Sequence, residues 1–192
     1  METNNCTIVI TGLGGQGIIR FIQVLGEALM DKGYVVITSE THGLSQRGGK
    51  VKCFIRYGNK LLAPIPMIGS ADMIITLEKS CLLDVLNYAK IDKSTDLITS
   101  EFKKPLKNQK YISDDYFNQT LPNFSKKIHY IKTTEIKNDI RLLNTLILGY
   151  IISFIPLTFQ DLQNSLSKYF SGEILEANLS VLKIGSVMNR KN

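Results

Sequence analysis

Gly12, Gly14 and Gly17 satisfy G-x-G-x-x-G within Gly12-Leu13-Gly14-Gly15-Gln16-Gly17, and the chemistry such a stretch can do is anion binding. Glycines let the backbone approach a charged group closely. A helix starting behind them aims its free N–H groups and positive dipole end at the same place. Further on, Glu40 ends an apolar run, where a nicotinamide enzyme keeps the acid that binds ribose. A second glycine-rich stretch follows at once, in which His42, Ser45, Gln46 and Arg47 lie among Gly43, Gly48 and Gly49. The planar, multidonor guanidinium of Arg47 suits a phosphate or a carboxylate.

Each of these residues also has a plainer role open to it. Arg47 either binds an anion or pairs with Glu40 or a partner's carboxylate and fixes its loop. Gln16 either caps the glycine loop or touches a ligand at its mouth. Ser45 reads as a turn residue rather than a nucleophile, since no base is placed beside it by sequence, and His42 as loop packing. Asn144 and Asn178, polar positions on apolar helix faces, are expected to satisfy buried backbone or each other's helix.

The elements that must position these residues follow from periodicity. Cys6 to Ile10 is an apolar run with the character of a buried parallel strand, and Ile18, Ile22, Leu25 and Leu29 recur at helical spacing until Gly33. Tyr34 to Thr38 is the next strand, so the opening is a βαβ unit with its glycine loop at a carboxyl edge. Lys50 to Tyr57 alternates apolar and polar residues, and Gly58-Asn59 turns it into Lys60 to Ala63, an antiparallel hairpin over 50–63. Met73 to Glu78, Thr95 to Thr99 and Ile128 to Ile131 are further strands. Ser80 to Ala89 is expected to be helical, and a long helix is expected from Thr133 to Phe154, stopped by Pro156. Thr158 with Asp161 caps a helix to Tyr169, and Gly172 separates it from a last helix, Glu173 to Met188. The fold class this implies is α/β: a three-layer, Rossmann-like, mostly parallel sheet with an antiparallel hairpin and helices on both faces. The 192 residues make one domain, 1–192, without repeats or linkers.

Composition narrows the function. Hydrophobic residues at 44% and charged residues at 21% belong to an ordinary globular chain rather than a disordered one. Cys6, Cys53 and Cys81 are far apart and make no C-x-x-C, so neither an iron–sulfur cluster nor a structural zinc site can be built from this chain; they read as reduced, buried thiols. His42 and His129 are the only histidines and no nucleophile elbow is present, which leaves little for hydrolytic chemistry. Met1 to Asn5 lacks a basic, then apolar, leader, and Leu142 to Leu157 is shorter than the ~20 residues of a spanning helix, so a cytoplasmic protein off the membrane is expected. The net charge of +6 includes Lys103, Lys104, Lys107 and Lys110, read as a solvated face rather than a nucleic-acid site.

The pairing of G-x-G-G-Q-G-I, at Gly12 to Ile18, with E-x-x-G-x-S-Q-R-G-G-x-V, at Glu40 to Val51, resembles the gamma-type subunit or domain of the thiamine-diphosphate-dependent 2-oxoacid:ferredoxin oxidoreductases, most nearly the indolepyruvate type, subunit beta. Pro66 with Gly69 to Asp72, Asn144 with Gly149, and Asn178 with Gly185 extend the resemblance along nearly the whole chain, with 97–127 its weakest part. The resemblance implies a complex that decarboxylates an aryl 2-oxoacid, sends electrons through iron–sulfur clusters to ferredoxin and passes the acyl group to coenzyme A. It also implies a division of labour. The chain has no G-D-G with a distant Asn-Asn, so thiamine diphosphate, Mg2+ and the clusters belong to a larger alpha subunit, which also meets ferredoxin. This chain then carries no catalytic residue or metal of its own. It lines the entrance and receives coenzyme A or substrate anions through Gly12, Gly14, Gly15, Gln16, Gly17, Glu40, Ser45, Gln46, Arg47, Gly48 and Gly49. Alone it is expected to be inactive and to self-associate, as a homodimer. Two rivals stay open: a stand-alone NAD-dependent oxidoreductase and a purely structural assembly subunit.

Overall fold

The computed structural model describes residues 5–42, 49–59, 63–105, 110–137 and 139–188. The strands are β1 (Cys6–Leu13), β2 (Val35–His42), β3 (Lys50–Gly58), β4 (Met73–Thr76), β5 (Asp96–Ser100) and β6 (Lys127–Ile131). The α-helices are α1 (Ile18–Asp31), α2 (Asp114–Thr120), α3 (Leu143–Ile151), α4 (Phe159–Ser167) and α5 (Gly172–Met188). Among the described residues the strands form one six-stranded sheet in the order β2-β3-β1-β4-β5-β6. β3 alone runs against the rest, antiparallel to both β1 and β2, while β1, β4, β5 and β6 pair in parallel.

The mixed, mostly parallel sheet expected from the sequence is thus present, with two differences in detail. β2 does not lie beside β1; it is an edge strand, and β3 occupies the place between them. Cys53, Phe54 and Ile55 are consecutive and all fully buried, which requires cover on both faces and therefore a central position. The alternation of the flanking Lys50, Lys52 and Arg56 obscures this in the sequence. The antiparallel neighbours of β3 are accordingly β2 and β1, whereas the second arm of the expected 50–63 hairpin, Lys60 to Ala63, lies outside the described residues except for Ala63, which is not in a strand.

The two faces are covered unequally. Ile8, Ile10, Ile55 and Ile75 pack against α1, α3, α4 and α5, while Val9, Phe54, Ile74 and Leu97 pack against α2 and the turns before it. The segment expected as a helix at 80–89 is two 3-10 turns, Lys79–Asp84 and Leu86–Tyr88. The long helix expected from Thr133 is broken: Lys137 adopts a left-handed conformation (φ 50), Asp139 accepts from the Arg141 amide as a cap, and only Leu143–Ile151 is α-helical.

The ends of the other helices follow their sequence signals. Gly33 (φ 88) donates to the Met30 carbonyl and Tyr34 to that of Leu29, a Schellman termination of α1. Thr158 and Asp161 form a reciprocal capping box on α4. Every residue of α3 is buried, because α5 crosses it at Gly149 and Gly185. A Cβ on either glycine would overlap backbone of the opposite helix, at the Leu182 or the Leu146 carbonyl oxygen. No described helix is long and apolar enough to cross a membrane.

Candidate functional site

The glycine loop joins β1 to α1 at the carboxyl edge of the sheet, and side chains and backbone tie it down from within. Gln16 folds back over it: Oε1 accepts from the Leu13 amide at 2.7 Å, and Nε2 donates to the Leu77 carbonyl at 3.2 Å. Gly12 leaves room for that amide, since a Cβ there would stand 2.7 Å from Gln16 Oε1. Gly15 (φ 93) and Gly17 (φ 76) are left-handed, which disfavours any side chain. Gly15 is exposed, and a Cβ there would meet nothing within 4 Å, so the loop crest is open to an approaching group. Gly17 caps α1 without a side-chain partner, and the first turn holds no acid; its N–H groups are those a helix leaves for an outside acceptor.

The second glycine stretch begins where β2 ends. Gly49 is described, and its carbonyl accepts the Gly14 amide at 2.9 Å, so the two stretches meet as expected. Ser45, Gln46, Arg47 and Gly48, with the side chain of His42, lie outside the described residues. Glu40 is exposed on β2 and in register with Cys53, which itself faces Ile10 on β1. It is therefore two strand spacings from β1, about 9–10 Å, and β3 stands between it and the loop. An acid serving a dinucleotide should be on the adjacent strand.

The buried asparagines serve the loop and the helices. Asn144 Nδ2 reaches the Gly17 carbonyl at 3.4 Å, and its Oδ1 accepts the Thr145 amide at 2.8 Å. Thr145 donates in turn to Asn178 Oδ1, and Asn178 Nδ2 donates to the Ile174 carbonyl at 2.8 Å. Beside them lies a residue that sequence reasoning passed over. Arg20, in the first turn of α1, stacks its guanidinium 4.4 Å above the Tyr169 ring and 5.8 Å from that of Phe170. A cation at a helix amino end, where the dipole disfavours it, was the signal available.

On the other side of the loop, Glu78 is fully buried, and its carboxylate accepts from the Ser80 hydroxyl (2.6 Å), the Tyr111 hydroxyl (2.5 Å) and the Cys81 and Lys104 amides. It is a capping group, with its lone pairs used. The three cysteines are free, as expected; burial pushes the Cys6 and Cys53 thiols up to about 12 and raises that of Cys81 further. Such thiols stay protonated and are poor nucleophiles and metal ligands. Among the described residues no three His, Cys, Asp or Glu side chains converge as metal ligands.

Among the described residues the arrangement offers a ligand N–H groups and a cation, and no proton relay or nucleophile stands at the loop. Comparisons with known proteins give the family. The sequence profile of the pyruvate ferredoxin/flavodoxin oxidoreductase family matches residues 7–187. The chain is 28% identical over 189 residues to indolepyruvate oxidoreductase subunit IorB of Archaeoglobus fulgidus, covering 93% of this chain and 92% of that one. With the subunit of the same name from Methanothermobacter thermautotrophicus it shares 29% over 191 residues, 94% of this chain and 96% of the other. In shape it resembles a 2-oxoglutarate:ferredoxin oxidoreductase from Magnetococcus marinus, solved with 2-oxoglutarate, coenzyme A and succinyl-CoA bound, at TM-score 0.75 and 17% identity over 98% of this chain. The chain spans only 31% of that protein's length. Pyruvate oxidoreductase subunit PORC of Thermotoga maritima superposes with TM-score 0.68 at 19% identity, over 94% of both chains.

Proposed function

The chain belongs to the pyruvate ferredoxin/flavodoxin oxidoreductase family, and on that premise we propose that it is the gamma-type small subunit of an indolepyruvate-type 2-oxoacid:ferredoxin oxidoreductase, acting as one domain in the cytoplasm. The observation that carries this reading is the likeness, over nine-tenths of both chains, to subunits named for indolepyruvate oxidation. A larger partner chain holds thiamine diphosphate, Mg2+ and the iron–sulfur clusters and passes electrons to ferredoxin. This chain's part is to close the site entrance and to receive coenzyme A or a substrate anion. The Gly12 to Gly17 loop, clipped to Gly49, presents an open crest and a free helix end for that purpose, and Ser45, Gln46, Arg47 and Gly48 are the residues that precede Gly49 in the chain.

Assembly needs a second surface. Met67, Ile68 and Ile91 are 79%, 70% and 97% exposed on the loops that enter β4 and β5, at the edge of the sheet opposite the glycine loop. These loops run side by side, since Gly69 donates to the Asn87 carbonyl and Ala71 to that of Tyr88. We assign this apolar edge to the partner subunit, or to a second copy when the chain is alone.

The test is reconstitution. The chain combined with its larger partner should reduce ferredoxin in a reaction dependent on an aryl 2-oxoacid and coenzyme A, and Gln16→Ala should lower turnover without dispersing the complex. Turnover unchanged by loop substitutions would make the chain an assembly subunit only. Tight NAD binding by the chain alone would restore the dinucleotide reading, which the position of β3 between Glu40 and the loop argues against.

A further inference from the structure

A cavity of about 620 Å3 opens beside β6, at the end of the sheet opposite the glycine loop. Its walls are His129 from β6, Ile152 and Phe154 from the turn after α3, Leu157 and Phe159 at the entry to α4, and Ser186 near the end of α5. We propose that it binds a neutral aromatic molecule carrying a hydroxyl or an N–H, taken up from solution as a small molecule.

The helices fix where this cavity lies. α3 starts with Asn144 beside Gly17 and ends at Ile151, so Ile152 stands about 12 Å further along its axis, away from the loop. Asp161, in the first turn of α4, pairs with Lys32 just past the end of α1 (3.2 Å), which sets the start of α4 at the same end. The apolar walls are recessed: Leu157 is 5% exposed, and Ile152, Phe154 and Phe159 are half-buried. Concave apolar walls with a few polar groups, around a volume within about 300–1,000 Å3, suit a small molecule. A protein partner is met instead by apolar groups that stand out, as Met67 and Ile91 do.

The lining chemistry selects the ligand. Among the described residues no Lys, Arg, Asp or Glu side chain lines the cavity. The amino end of α4 reaches it, but the capping box already supplies that end with the acid Asp161, so an anion gains little there. His129 has both nitrogens engaged: Nε2 meets Asp96 at 3.1 Å and Nδ1 meets the Tyr150 hydroxyl at 2.9 Å. The imidazole therefore offers ring carbon to the cavity, next to Phe154, which stands edge-on with centroids 5.2 Å apart. The remaining polar atoms accept. Ser186 gives its proton to the Lys183 carbonyl (2.8 Å), and Thr158, also in the lining, gives its own to Asp161 (2.7 Å), which leaves each oxygen a lone pair. An uncharged ring system that packs on aromatic and aliphatic walls and donates one hydrogen bond matches these groups.

The full-length chain is titrated calorimetrically at neutral pH with three naphthalenes: 2-naphthol, which donates, 2-methoxynaphthalene, which has the same body and no donor, and 2-naphthoate, an anion. 2-Naphthol should bind at least tenfold more tightly than either of the others. Ser186→Ala should bring 2-naphthol down to the 2-methoxynaphthalene level and leave 2-methoxynaphthalene unchanged. Ser153→Trp, at an exposed lining position, should weaken both at least tenfold with the melting temperature preserved. In proton NMR the Hε1 signal of His129, identified by its loss in His129→Gln, should shift when 2-naphthol is added. The proposal is overturned if 2-naphthol fails to bind at millimolar concentration, binds no better than its two analogues, keeps its affinity in both variants, or leaves the His129 signal in place. A partner's tyrosine or tryptophan side chain has the same chemistry. Loss of 2-naphthol binding once the larger subunit is added would show the cavity to be a protein contact, and overturns the proposal equally.

Discussion

The amide of Gly14 donates to the carbonyl of Gly49, 2.9 Å away, and so joins two glycine-rich stretches far apart in the chain. Leu13 and Lys50 are the last paired residues of β1 and β3, so this bond lies just past the end of the antiparallel ladder. Moving Gly14 either breaks this bond or carries Gly49 with it.

Gln16 is the internal tie of that unit, and Gln16→Leu removes both of its bonds while keeping its bulk. Leaving the Leu13 amide and the Leu77 carbonyl without these partners should cost about 1–3 kcal/mol. Urea unfolding of the two proteins gives the difference directly. A loss below ~0.5 kcal/mol, within the range of ordinary surface substitutions, would mean that solvent serves both groups as well.

Arg47 precedes Gly49 by two residues in the chain, and the proposed function makes it the residue most tied to turnover. Arg47→Lys keeps the charge and removes the planar fork. A charge-assisted bond of roughly 1.5–3 kcal/mol corresponds to a kcat/KM about ten- to a hundredfold lower in the reconstituted complex. The melting temperature of the subunit should hardly move. Normal turnover with a less stable subunit would assign Arg47 to the scaffold.

Gly185→Ala forces a methyl group into the Leu146 carbonyl at the α3–α5 crossing. Neither backbone can yield without separating two helices, so the loss should be about 3 kcal/mol or more, beyond ordinary overpacking. Gly33→Ala has open space around its Cβ and should lose only the strain of its positive φ. Equal losses in the two variants would show that the crossing is not close-packed.

The thiols set an alkaline limit. Burial holds Cys6 and Cys53 near 12, against about 8.5 in an unfolded chain. Because the folded state keeps these protons, their contribution is full below about pH 8.5 and is lost progressively as the pH climbs from there toward 12. Stability should fall across that window, and iodoacetamide at pH 8 should label the cysteines only after denaturant is added. Rapid labelling of the native chain would show that these sites open readily.

Much of the fold was legible because it rests on local signals. Gly33 and the Thr158–Asp161 box act within one turn, and both end or start helices where the spacing says. The site was half legible: the glycine spacing located the loop and its mate, but not the stacking of Arg20, since Tyr169 and Phe170 arrive from the far end of the chain. The position of β3 was not legible either. Whether a strand pairs with one neighbour or slips between two depends on long-range pairing, and its charged flanks concealed three consecutive buried residues. The break at 137–139 had a signal, Asp139 before an apolar run, outweighed by helical spacing on both sides.

The insertion of β3 also sets an order of events during synthesis. β1, α1 and β2 emerge first, and α1, packed over Val36, Thr38 and Ile55, spans a gap one strand wide between them. Until Gly58 has left the ribosome, both strands border that gap with unpaired N–H and C=O groups, open to any other nascent chain. The last strand to arrive on that side therefore closes two antiparallel ladders at once, one against β1 and one against β2.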